Sequence, residues 1–359
     1  MSTAFVELFQ QTCASIVPPD ADAYADARSR LDTLTKPLGS LGRLEDIAAQ
    51  WAGIRGQSAS EPIRKAVYVF AADHGITAEK VSAYPREVTN QMVLNFLAEG
   101  AAINVLAGHQ HADLHVVDAG VDADLSELPG LVHRKVARGS RNMLHAPAMT
   151  EAELYKALAV GIELSIDAAQ LGYNLLAIGE MGIGNTTSAA AITCALTGKS
   201  VQQATGRGTG IDEAARAHKT AVIQAVLARH FHELPHANSL DILRYVGGLE
   251  IAAMTGMMLG AARQRIAILC DGFISTAAAA LAISIAPDAR GYLIAGHQSV
   301  EPGHRLLLGH LGLSPLLSLD MRLGEGTGAV LAMPIVESAI ALYYGMATFA
   351  SAGVSEIAE

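Results

Sequence analysis

Three glycine-rich segments of this chain hold the residue types that phosphate binding and proton transfer require. The first, Gly179-Glu180-Met181-Gly182-Ile183-Gly184-Asn185-Thr186-Thr187, follows an aliphatic run and opens a helical pattern. Its backbone N–H groups are unobstructed by Cβ atoms, which suits a phosphate. The same pattern also reads as a tight strand-to-helix turn capped by Asn185 or Thr186. It is not the dinucleotide fingerprint, because Thr187 stands at the third glycine position and no ribose-binding acid closes a compact βαβ unit with it. The second, Gly206-Arg207-Gly208-Thr209-Gly210, precedes a helix starting near Asp212 with Lys219 on its third turn. It reads either as further phosphate donors or as a plain loop. The third, Arg322-Leu323-Gly324-Glu325-Gly326-Thr327-Gly328, sets one carboxylate between two glycines. Partly desolvated there, Glu325 would have its pKa raised toward neutrality and could act as a general base; the alternative is an exposed loop acid.

Other chemistries find less support. Gly198-Lys199-Ser200 is no P-loop, since Thr193 occupies the place of the leading glycine. His232-Glu233-Leu234-Pro235-His236 matches a zinc-protease pattern in letters, but Pro235 spoils the helix that would bring both imidazoles to one face. His109, His111 and His115 have no metal-ligand spacing, and G-x-S-x-G is absent. No metal or cofactor is expected. Met254, Met257 and Met258 read as core filler.

The elements that must position these residues follow an α/β rhythm. Short aliphatic runs at Val67–Ala72, Leu114–Asp118, Asn174–Ile178, Ile266–Leu269, Gly291–Ala295 and Leu316–Leu319 read as strands. Between them, Glu87–Leu106, Glu151–Leu171, Asp212–Phe231, Leu240–Ala262 and Phe273–Ala286 read as helices. An open parallel sheet flanked by helices follows. Ligands bind such sheets outside the carboxyl ends of the strands, and the residues there are polar: Asp73-His74-Gly75, Asp118-Ala119-Gly120, Gly179 to Gly182, Asp271-Gly272, Gly296-His297, and Asp320 leading to Gly326. Six such groups together suggest a site rather than turn chemistry alone. Residues 1–60 carry no strand signal, with helix to Leu34, a breaker at Lys36-Pro37-Leu38-Gly39-Ser40-Leu41-Gly42, and helix again through Trp51. With a helical stretch after Pro334, they predict a small helical domain (1–60 plus 335–359) beside a large α/β domain (61–334).

Composition sets the outer bounds. Of 359 residues, 51% are hydrophobic and only 17% charged, which requires a large buried core and excludes disorder. A net charge of −10, with no basic run interleaved with aromatics, argues against a nucleic-acid partner. The uncharged stretches 181–198 and 338–355 are interrupted by Gly, Ser, Thr or Tyr and read as buried helices rather than membrane spans. The start MSTAFVELFQ lacks signal-peptide features, and Cys13, Cys194 and Cys270 form no framework; both point to the cytoplasm.

Taken together, Lys36–Glu45, Ala72–Gly75, Val81-Ser82-Ala83-Tyr84-Pro85-Arg86-Glu87-Val88-Thr89, Gly179–Thr187, Leu269–Phe273 and Met321–Ala329 resemble, in order and spacing, the nicotinate-nucleotide:dimethylbenzimidazole phosphoribosyltransferase family along almost the whole chain. The resemblance implies a Rossmann-like sheet, a small helical domain from the chain ends, and a homodimer. It implies transfer of the 5-phosphoribosyl group of nicotinate mononucleotide to 5,6-dimethylbenzimidazole, with inversion at C1′ to give α-ribazole 5′-phosphate, a step in assembling the lower-ligand nucleotide of cobalamin. On this match Glu325 is the catalytic base; the oxocarbenium character expected at C1′ separately suggests Glu180 as a second carboxylate that could help electrostatically. Tyr84, Gln91, Ser82 and Leu323 line the base pocket, and Gly182, Gly206, Gly208 and Lys219 bind phosphate and ribose. Rival readings keep the chemistry with another base or a phenol as acceptor, or make the chain a noncatalytic nucleotide-binding protein in which Glu325 is dispensable.

Overall fold

The computed structural model describes residues 3–56, 59–231 and 237–355; the His232–His236 motif lies outside them. Helices α1 (Thr3–Ala14), α2 (Ala21–Thr33) and α3 (Arg43–Arg55) precede strand β1 (Lys65–Ala72). There follow α4 (Val88–Leu97), α5 (Ala102–His109), β2 (Asp113–Gly120), β3 (Leu131–His133), α6 (Glu151–Gln170), β4 (Leu175–Met181), α7 (Asn185–Thr197) and α8 (Val201–Ala204). The chain continues through α9 (Glu213–Phe231), α10 (Ser239–Val246), α11 (Leu249–Arg263), β5 (Ala267–Cys270), α12 (Phe273–Ile285), β6 (Leu293–Ala295), α13 (Pro302–Leu311), α14 (Thr327–Gly345) and α15 (Phe349–Ala352).

All strand pairs are parallel, in the order β3-β2-β1-β4-β5-β6. Burial on both faces explains the unbroken aliphatic runs: in β1 every residue after Lys65 is buried. The order reverses between β1 and β4, and the crevice at their carboxyl ends is where such a sheet binds ligand. One face is covered by α11, buried from Leu249 to Ala262 with Glu250 the one charge in that span. α11 packs closely on α6, because a Cβ at Gly161 would overlap the Ala253 carbonyl and one at Gly256 the Leu158 carbonyl. α6 is fixed at its start by Thr150, whose Oγ1 accepts the Glu153 N–H at 3.2 Å while Glu153 accepts the Thr150 N–H at 2.7 Å.

Four expectations need correction. The stretch 338–355 is not one buried helix, since α14 ends at Gly345 and only Ala339 and Ile340 of that stretch are buried. Leu316–Leu319 is not a strand; it makes one isolated bridge, Leu317 to His297. Glu87–Leu106 is two helices, broken where Glu99 takes a positive φ of 58° before Gly100. Leu240–Ala262 likewise breaks at Gly247-Gly248 into α10 and α11. The short strand β3 carried too little sequence signal to be anticipated. At the chain ends α2 and α3 pack on each other and α14 packs on α3, while α1 lies on α6 with Phe9 edge-on to Tyr155. α14 runs unbroken through Pro334. It is long and apolar enough to cross a membrane by length and composition, and here it packs on α3, α5, β4 and β5.

Candidate active site

A cleft of about 370 Å³ opens at the carboxyl ends of the strands, within the range of small-molecule sites. Glu180, Met181 and Gly182 at the end of β4 contribute to its lining, and Asn185 and Thr186 at the start of α7 continue it. Gly184 takes φ +98° ahead of α7, so the chain turns sharply from strand to helix and leaves the first N–H groups of α7 near the cleft.

Glu180 is buried and accepts a hydrogen bond from the Asn185 side-chain amide. Burial, reinforced by the carboxylates of Glu250, Asp271 and Glu325 and opposed by Asn185, pushes its pKa up to about 8. Beside it, His74 from the end of β1 contacts Glu250 Oε1 through Nε2 at 2.6 Å and Ser188 Oγ through Nδ1 at 3.2 Å. This contact ties the end of β1 to α11 and α7.

Glu325 occupies an unusual turn. Gly324, Glu325 and Gly326 have φ of +86°, +63° and +88°, a left-handed run in which only the middle residue carries a Cβ. The turn lies against β4: Glu325 N donates to the Glu180 carbonyl at 3.3 Å, and Gly179 leaves the room for it. On another side the Asp271 carboxylate accepts N–H bonds from Gly326 (3.2 Å), Gly328 (2.7 Å) and Ala329 (3.1 Å). The Glu325 side chain is not an exposed loop acid; the residue is 4% exposed and its Oε2 accepts the Ile103 N–H at 3.4 Å. Burial and the Asp271 charge raise its pKa, against the Ile103 amide.

The second glycine segment meets the first here. Gly208 N donates to Glu301 Oε1 at 2.8 Å, and its carbonyl accepts from Arg322 at 3.1 Å. Lys219, 1% exposed on α9, donates to Thr186 Oγ1 at 2.7 Å, and burial lowers its pKa to about 8, with Glu301 opposing. Gly208 and the start of α7 thus line one end of the cleft, with Lys219 behind Thr186 and the Glu301 carboxylate holding the Gly208 N–H. A helix start with a lysine close by is a setting that suits an anion. Gly206 stands behind this loop, packed against Glu301 so closely that a Cβ would overlap its carboxylate.

At the other end, Tyr84 and Leu323 line the cleft while remaining 54% and 55% exposed, so they form its mouth. Ser82 lies behind, its Oγ 3.2 Å from Thr209 Oγ1, which joins the Tyr84 segment to the second glycine loop. Gln91 is exposed on α4, and its neighbour Met92 is the residue that lines the cleft.

The strand-end groups divide. His297 and Gly272 reach the cleft, whereas Asp118 is engaged by Val121 N (2.9 Å) and Lys135 (3.0 Å), and Asp73 by Asp122 N (2.7 Å). Asp271, Glu250, Glu301 and Arg322 are further functional candidates, to which the sequence alone assigns no role. Glu250 carried a signal, as the only charge in an otherwise apolar run from Leu249 to Ala262. Among the described residues no cluster of three or more His, Cys, Asp or Glu is arranged to hold a metal.

Residues 16–354 match a family model described as phosphoribosyltransferase. A relative from Geobacter sulfurreducens, named nicotinate-nucleotide–dimethylbenzimidazole phosphoribosyltransferase, is 51% identical over 97% of this chain and 99% of its own. One of the same name from Chloroflexus aggregans is 52% identical over 98% and 99%. A crystal structure of the enzyme of that name from Thermus thermophilus superposes with a TM-score of 0.89 at 47% identity, covering 94% of this chain and all of that one.

Proposed function

This chain belongs to the nicotinate-nucleotide–dimethylbenzimidazole phosphoribosyltransferase family, and on that premise we propose that Glu325 is the base of its phosphoribosyl transfer. The reaction moves the 5-phosphoribosyl group of nicotinate mononucleotide to 5,6-dimethylbenzimidazole. One benzimidazole nitrogen attacks C1′, and the C1′–N bond to the pyridinium breaks with its electron pair returning to the ring nitrogen. Nicotinate leaves without needing an acid. Attack makes the other benzimidazole N–H acidic, and the Glu325 carboxylate takes that proton.

The observation that carries this reading is the buried, raised-pKa carboxylate of Glu325 on a rigid turn in the cleft. Tyr84 and Leu323 suit a flat ring at the mouth, with Ser82 supporting them through Thr209 and Gln91 on the neighbouring helix. Lys219, Gly208 and Gly182 take the phosphate and ribose, with Gly206 backing the loop. Glu180, protonated when the cleft is empty, ionises more readily once a pyridinium or developing oxocarbenium charge lies beside it, and in that form aids the transition state.

The same reading takes residues 1–60 with 335–359 as a small helical domain, supported by the Thr35 N–H bond to the Ala347 carbonyl at 3.0 Å. It makes the protein a cytoplasmic homodimer, with no nucleic-acid or membrane partner. The helices α4 and α5 present Leu94 and Val105 at 42% and 67% exposure, an apolar surface that a second copy would cover. The test incubates purified protein with both substrates and follows α-ribazole 5′-phosphate by chromatography beside Glu325→Gln. Product from the wild type alone supports transfer and base together. Nicotinate release only with other acceptors would move the acceptor assignment, and equal rates from both proteins would remove Glu325 as base.

A further inference from the structure

Asp271 directly follows β5 as a buried carboxylate, and both its oxygens are directed at the backbone that follows Glu325. Oδ2 accepts the Gly326 N–H at 3.2 Å, and Oδ1 accepts those of Gly328 and Ala329 at 2.7 and 3.1 Å. An ordinary helix cap comes from the residue beside its own helix, whereas this carboxylate reaches from another strand 55 residues earlier in the chain. Asp271 does not line the cleft, whereas Gly272 and His297 do. Across the turn Gly179 leaves no space for the Glu325–Gly326 peptide to retreat.

We propose that Asp271 is a positioning residue for the transfer reaction, holding the peptide after Glu325 and so fixing where the base carboxylate stands. The inference rests on Glu325 being the base. A left-handed non-glycine residue is strained and needs its surroundings to hold it. Asp271 accepts three N–H bonds at the place where release would let the turn relax; burial raises its pKa, while His297 and these bonds favour the carboxylate. Displacement of a catalytic group by about 1 Å is enough to cost ~10²-fold in rate.

The experiment compares Asp271→Asn, Glu325→Gln and the double variant, each checked for folding by thermal melting, with kcat and KM measured across pH. The charged groups facing Glu325 are Asp271 from the end of β5 and Glu180 from β4, with the Ile103 amide from α5; His297 lies against Asp271, its Nδ1 3.5 Å from Oδ1. Asp271→Asn is expected to lower kcat by ~10²-fold with KM little changed. Its acid limb should move to lower pH, because a negative neighbour of Glu325 is gone. In the Glu325→Gln background the substitution should cost nothing further. Wild-type kcat and acid limb in a folded Asp271→Asn, beside an inactive Glu325→Gln, would overturn the positioning role. So would a loss that multiplies in the double variant, which marks general structural damage. Full activity in Glu325→Gln would remove the base reading instead, a separate result. If Asp271→Asn does not fold, Asp271→Glu keeps the charge and displaces the carboxylate: reduced kcat with an unmoved acid limb supports the proposal, and wild-type kcat overturns it.

Discussion

Gly179 and Glu325 meet backbone to backbone beneath the cleft, so closely that a Cβ added at Gly179 would overlap the Glu325 carbonyl and Gly326 N. Gly179→Ala must therefore push the Glu325 turn away from β4. Overpacking of this kind typically costs about 1–3 kcal/mol. A lowered melting temperature is expected together with reduced kcat, whereas unchanged kcat would mean that the turn shifts without disturbing the chemistry.

Glu325→Gln should lower kcat by ~10²–10⁴-fold, the usual contribution of a positioned base. Stability should not fall, because the amide removes a buried charge while keeping the shape. In the wild type the raised pKa of Glu325 places the acid limb of kcat above the ordinary carboxylate range, with activity falling as pH drops through it. A pH–rate profile measured on both proteins checks the two statements together.

Glu180 links stability to pH. Its folded pKa of about 8 stands above the ordinary 4.5, so between these values the folded state holds a proton that the unfolded chain releases. This contribution is fully present below the unfolded pKa and is lost as pH rises through about 8. One such group gives a slope of at most ~1.4 kcal/mol per pH unit. Urea unfolding at pH 5.5 and 7.5 should show a smaller decline in Glu180→Gln than in the wild type; parallel declines would put the proton elsewhere. The same variant tests catalysis, since an unchanged kcat would remove Glu180 from the transition state.

Lys219→Met should raise KM for nicotinate mononucleotide by ~10–100-fold, the worth of one charge-assisted hydrogen bond of about 1.5–3 kcal/mol. Transfer from the riboside lacking the phosphate should be nearly unaffected. Equal losses on both donors would give Lys219 a structural role through Thr186.

Five strands were legible because burial on both faces demands aliphatic runs, while β3 spans only Leu131–His133 and left no such trace. Leu316–Leu319 has strand composition but finds only His297 as a bridge partner. The helix break at Glu99 depends on a backbone angle that glutamate seldom takes. In the site, glycine spacing pointed to Glu325, Gly182 and Gly208, since close backbone approach leaves its mark in composition. The tasks of Asp271 and Glu301 were hidden, because each exists only through a loop brought from elsewhere in the chain.

The carboxylate at the centre of the site is delivered by the turn before α14, after every strand of the sheet. During synthesis the strands and the glycine segments 179–187 and 206–210 therefore leave the ribosome before Glu325 does. If Glu325 is the base, a nascent chain that has released every strand still lacks the group that takes the proton, and transfer competence waits on the turn before α14.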